Sequence, residues 1–176
     1  MKSLETIQKT FRVFQILSKI AMILSLLWAG LAALGLLCGI VWYTGGTVVG
    51  ADQELLHTMI GTGSLPQMIG VLTANVIMAL TDSALFAYAL GYLKSEQAEG
   101  TPFTHRGAKQ IRQLGMRYIV LPLVATILIA VVYGVFDIPS NLGGDWSNAS
   151  GITTGIVLIL ASLIFSYGAE LEEKVK

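Results

Sequence analysis

The chain has 176 residues, of which 54% are hydrophobic and only 12% charged, where a soluble globular domain carries about 25% charged residues. With about half of its length compatible with lipid, it has room for one membrane domain and none for a separate soluble one. The net charge is zero, a total that hides a strong asymmetry along the chain and gives no reason to expect direct nucleic-acid binding. The single cysteine, Cys38, lies inside an apolar run and has no intrachain disulfide partner.

Residues 1–19 place Leu4, Ile7, Phe11, Phe14 and Leu17 three and four positions apart, with Lys2, Lys9, Arg12 and Lys19 over much of the remaining surface. This spacing predicts an amphipathic helix lying on the inner leaflet, its cations near anionic headgroups. The alternative is a plain cytoplasmic extension of the first spanning helix. Residues 20–43 form the first run long enough to approach the ~20 apolar residues a bilayer crossing needs. The run exceeds the length of a signal-peptide core, so it reads as a retained anchor. Ala32, Gly35 and Gly39 form a stripe of small residues on it, which lets helices approach closely enough to gain dispersion contacts in lipid. An intrachain packing face is expected there, with a homodimer seam as the alternative.

The loop 44–66 is punctuated by glycine. Within it Asp52 is placed to cap a short helix whose Leu55, Leu56, Met59 and Ile60 make one apolar strip. Asp52, Glu54 and His57 are too few and too ordinary to predict a metal site. The second span, 67–92, contains Asp82, the one ionisable side chain inside any run, with Asn75 on its helical face. A carboxylate at that depth costs ~2.5–3.5 kcal/mol on insertion scales, so it is expected to face inward, protonated or in contact with water. Thr126 on the third span and Ser162 and Ser166 on the fourth are its candidate hydroxyl partners. Asp82 is then either a proton or cation site or a neutral acid donating one interhelical hydrogen bond.

Residues 93–117 form the inner loop. Thr104 is a candidate N-cap for a short second interfacial helix, whose Ala108, Ile111, Leu114 and Met116 would touch the membrane while Arg106, Lys109 and Arg112 project toward headgroups or a soluble partner, headgroup contact alone being sufficient to explain the charges. Residues 118–136 and 152–167 are the third and fourth spans, joined by the outer loop 137–151 and followed by the tail 168–176. Tyr43, Trp42, Tyr92, Tyr118 and Trp146 fall at the span boundaries, as interfacial aromatics do. All eleven Lys and Arg residues lie in 1–19, 93–117 and 168–176, and none in 44–66 or 137–151. By the positive-inside bias, both termini and the 93–117 loop face the cytoplasm. The expected fold is all-α, a polytopic four-helix membrane bundle with interfacial helices at the N-terminus and in the inner loop.

The inner loop carries Gly100, Pro102, Phe103, Thr104, Arg112 and Gly115, and the tail carries Phe165, Gly168, Ala169, Glu170 and Leu171. In these residues the chain resembles a family of uncharacterised bacterial four-helix membrane proteins, the YoaS-like domain-of-unknown-function group. His105, Arg106 and Gly107 stand where that family has an asparagine nearby, and Glu172-Glu-Lys-Val-Lys176 replaces its acidic stretch and Leu-Thr-Val tail. The resemblance implies a bacterial inner-membrane location and no established activity. It also implies a setting beside a small helix-turn-helix regulator, for which Phe103, Thr104, Arg106, Lys109, Arg112 and Glu170 would form the docking surface.

No phosphate-cradling glycine loop, zinc spacing, HExxH, GxSxG or CxxC is present. The two histidines, at 57 and 105, fall on opposite sides of the expected topology and share no site. The expectation is therefore a non-enzymatic module without cofactor or metal, bound to lipid and docking a cytoplasmic regulatory protein. The alternative is a small transporter, channel or sensor for a proton, cation or apolar ligand, centred on Asp82 and requiring a homo-oligomer to enclose a path.

Overall fold

The computed structural model describes residues 2–50, 52–99, 104–139 and 149–175. Among them the chain forms five helices and no strand: α1 (Lys2–Tyr43), α2 (Gln53–Ile60), α3 (Leu65–Glu99), α4 (His105–Val135) and α5 (Ala149–Val175). Four segments, Lys9–Tyr43, Leu65–Ala98, His105–Val135 and Gly151–Leu171, are long and apolar enough to cross a membrane, which fits a multi-pass membrane protein. Over its most apolar window α3 is 44% buried, against 11% for α1 and 17% each for α4 and α5. It is therefore the most enclosed of the four.

Two expected helix breaks are absent. α1 runs through residue 19 without interruption, because residues 18–22 contain neither glycine nor proline and nothing there ends a helix. The extension of the first span, not a separate interfacial helix, is the arrangement observed. At 1.5 Å per residue its 42 residues reach about 63 Å, roughly twice the thickness of a hydrocarbon core. The inner-loop helix is likewise no separate element: its residues form the opening turns of α4. Ala108, Ile111 and Leu114, expected against lipid, are buried within the protein, and only Met116 of that set is exposed.

The chain divides into two compact units. The first comprises Met1–Ile23, Asp82–Pro122 and Asn148–Lys176. Its tightest contact joins α4 to α5. A Cβ on Gly115 would lie 2.8 Å from the Gly155 carbonyl oxygen, and one on Gly155 would lie 2.5 Å from Ile119 Cγ1. Gly151 sits against Pro122 and the Tyr118 carbonyl. Pro122 lacks an N–H for the carbonyl four residues earlier, so α4 gives up one bond on the face that Gly151 covers. Gly151 was expected in a loop, but the helix begins at Ala149, and Gly151-Ile-Thr-Thr-Gly155 is a close-packing motif on its first turns. Elsewhere in this unit, Gln15 Nε2 on α1 donates to the Leu93 carbonyl (3.0 Å) and to Gln97 Oε1 (2.8 Å) on α3. All eleven Lys and Arg residues belong to this unit.

The second unit comprises Leu24–Thr81 and Leu123–Ser147 and contains no lysine or arginine. Its core is Ala32, Met68 and Leu72, with Leu36, Trp42, Leu56 and Ile60 packed around them. Gly35 and Gly39 bring α1 close to α3: added Cβ atoms would lie 3.3 Å from Leu72 Cδ2 and 3.1 Å from Ile69 Cγ1. Asp52 caps α2 through its carboxylate, which accepts from the Glu54 amide at 2.9 Å, and Gly61 ends it in the left-handed region at φ 75°. His57 Nδ1 lies 3.0 Å from Thr62 Oγ1. Beyond α4, Asp137 adopts φ 48° and turns the chain so that Phe136 and Ile138 meet Gly70 of α3. Gln67 Nε2 donates to the Asp137 carbonyl at 3.2 Å.

Candidate functional site

Asp82 is not enclosed within the protein. Its side chain is exposed on α3, although Ala79 and Leu85, which flank it on the same helical face, are buried. The five polar residues of that expected site are divided between the two units. Asp82, Ser162 and Ser166 belong to the first unit, Asn75 and Thr126 to the second. Asn75 Nδ2 donates to its own helix at Val71 O (2.9 Å), and the buried Ser162 hydroxyl does the same at Ile159 O (2.6 Å). Both are back-bonds that satisfy a hydroxyl or amide without any interhelical partner. Ser166 is half-buried and Thr126 exposed.

The start of α4 is built as an amphipathic surface. Thr104 Oγ1 accepts from the Gly107 amide at 2.9 Å, and the Thr104 carbonyl accepts from the Ala108 amide at 2.9 Å, so the helix opens on a capped first turn. Gly107, Ala108, Ile111 and Leu114 turn inward. His105, Arg106, Lys109 and Arg112, three and four apart, are exposed on the other face. Glu170 and Lys174 of α5 are also exposed. Phe103 lies outside the described residues.

The first unit also holds a cavity of about 260 Å³ between α3 and α4, with Tyr88, Tyr92 and Ser95 on one side and Gln110, Gln113 and Arg117 on the other. The Arg117 guanidinium carbon lies 4.0 Å from the centroid of the Tyr88 ring, within the range of a cation–π contact. Gln110 Oε1 is buried and has no hydrogen-bond partner among the described residues. Leaving such an acceptor unmet costs about 1–3 kcal/mol. This cavity is not anticipated by the apolar runs, but a signal for it exists. Tyr88, Tyr92 and Ser95 are spaced four and three apart, as are Gln110, Gln113 and Arg117 at three and four, so each trio lies on one face of its helix.

A second cavity, about 550 Å³, lies in the second unit among Trp28, Leu31, Leu56, Met59 and Leu72, with Asn75 its only amide. Neither cavity is lined by Asp82. Compared with known proteins, the chain matches no protein-family model, no curated protein and no solved structure.

Proposed function

We propose that this chain is a four-pass protein of the bacterial inner membrane, with both termini inside, that performs no chemistry itself. It docks a cytoplasmic regulatory protein, such as a small helix-turn-helix regulator, on the opening turns of α4. The observation that carries this reading is the row His105, Arg106, Lys109 and Arg112, exposed on one face of a capped helix whose opposite face is buried. A helix anchored in that way presents its cations at fixed spacing, which suits recognition of an acidic protein surface more than diffuse headgroup attraction.

The orientation follows from the confinement of all eleven cations to the flanks 1–19, 93–117 and 168–176. In a Cys38→Ser background, cysteine placed at the exposed Gln53 is expected to react with an impermeant maleimide in intact cells. Cysteine at Lys109 is expected to react only after permeabilisation. The reverse pattern would overturn the orientation and the docking surface with it.

Docking itself is tested by a photo-crosslinking side chain at Lys109 or Arg112, compared with the exposed apolar position Leu163. The expected result is a soluble protein adduct at the α4 positions alone, abolished by combined charge reversal of Arg106 and the untagged one of the pair. Adducts to lipid only, or adducts indifferent to charge reversal, would sink the reading.

A further inference from the structure

We infer that the cavity around Arg117 binds a phosphate-bearing group that also carries a hydrogen-bond donor, the chemistry of a phosphatidylglycerol or phosphatidylethanolamine headgroup. The site is distinct from the exposed row on α4 and does not depend on the docking reading. Arg117 supplies a permanent positive charge and a planar fork of N–H donors matched to phosphate oxygens. Its position 4.0 Å above the Tyr88 ring restrains the side chain in advance of binding, so little conformational freedom is left to lose. Ser95 and Gln113 add neutral donors to the same lining.

Gln110 narrows the ligand further. Its buried Oε1 lacks a hydrogen-bond partner among the described residues, and the phosphodiester of a lipid cannot provide one, because its oxygens carry no hydrogen and only accept. The ligand must therefore bring an N–H or O–H beside its phosphate, as an ethanolamine ammonium or a glycerol hydroxyl does. A choline group carries no such hydrogen. At about 260 Å³ the space exceeds by far the ~10–15 Å³ that admits one water. The lining falls within Leu65–Ala98 and His105–Val135, two of the four segments able to cross a membrane, and at their cation-rich ends. A headgroup, not a deeply buried acyl chain, belongs at that level.

The test uses the full chain, purified and delipidated in detergent, offered phosphatidylglycerol, phosphatidylethanolamine or phosphatidylcholine, with retention read by native mass spectrometry. Phosphatidylglycerol and phosphatidylethanolamine are expected to be retained about 10-fold better than phosphatidylcholine, the size of one hydrogen bond to Gln110. Arg117→Gln is expected to lower phosphatidylglycerol retention about 10-fold or more, while Lys94→Gln, which removes the same charge from an exposed site outside the cavity, changes it less than about 2-fold. Gln110→Met is expected to erase the preference over phosphatidylcholine without loss of thermal stability, and it carries the test alone if Arg117→Gln does not fold. Competition by glycerol 3-phosphate would support the same chemistry and move its source from lipid to a soluble molecule. Equal loss in Arg117→Gln and Lys94→Gln, or a preference unchanged by Gln110→Met, would overturn the assignment.

Discussion

Replacing Gly155 by leucine is expected to part α5 from α4 and to lower the stability of the protein by several kcal/mol, beyond the ~1–3 kcal/mol typical of one misplaced methylene. The first carbon alone would sit 2.5 Å from Ile119 Cγ1 and 2.8 Å from the Gly115 carbonyl oxygen. The isoleucine tip can yield, but the carbonyl is backbone and cannot move without shifting its helix. In lipid the loss is not offset by any hydrophobic gain, since hydrocarbon surrounds the helices whether or not they touch. Gly155→Ala is expected to cost less than the leucine but still to destabilise. Gly134→Leu serves as the control, because nothing lies within 4 Å of the Cβ it would add. Steric-trapping measurements in bicelles would compare the three. A Gly155→Leu protein as stable as the Gly134→Leu one would refute the contact.

Asp82→Leu is expected to act in the opposite direction, stabilising the inserted protein by about 2.5–3.5 kcal/mol, the cost assigned to a charged side chain near the middle of a spanning helix. Asp82 lies within Leu65–Ala98 and is exposed, and no hydrogen bond to its carboxyl is seen among the described residues, so the transfer penalty is largely uncompensated. Translocon-mediated insertion of the α3 segment reads the penalty directly, and unfolding of the full chain reads its consequence. If Asp82→Leu destabilised the full chain while improving insertion of the segment, the carboxyl would have a partner that only the assembled membrane protein supplies. That outcome would restore the reading in which Asp82 serves proton or cation movement within an oligomer.

The spans were legible because apolar length is decisive in lipid, and α2 because its start and stop are local chemistry, Asp52 at one end and Gly61 at the other. Helix continuity was not legible at residue 19 or near 117. A change in polarity along a helix marks where the solvent changes, and only glycine, proline or a cap marks where the helix stops. Pro122 shows the converse: it lies inside α4, where the Gly151 contact shelters the interrupted turn. The exposed cations of α4 could be read from spacing alone. The exposure of Asp82 was not legible, because how fully a position on α3 is covered depends on the neighbouring helices and not on its own face, where Ala79 and Leu85 are buried. The Arg117 cavity needed two helix faces brought together from positions fifteen or more residues apart, across the break between α3 and α4.

The confinement of lysine and arginine to the first unit has a practical corollary. Every peptide bond that trypsin can cut belongs to that unit, so the stretch after Lys19 survives digestion as far as Lys94, and the stretch after Arg117 as far as Lys174. Fragment mapping with this protease will report only on accessibility of the cationic flanks, and the α2 segment must be followed with an enzyme that cleaves at acidic or aromatic residues.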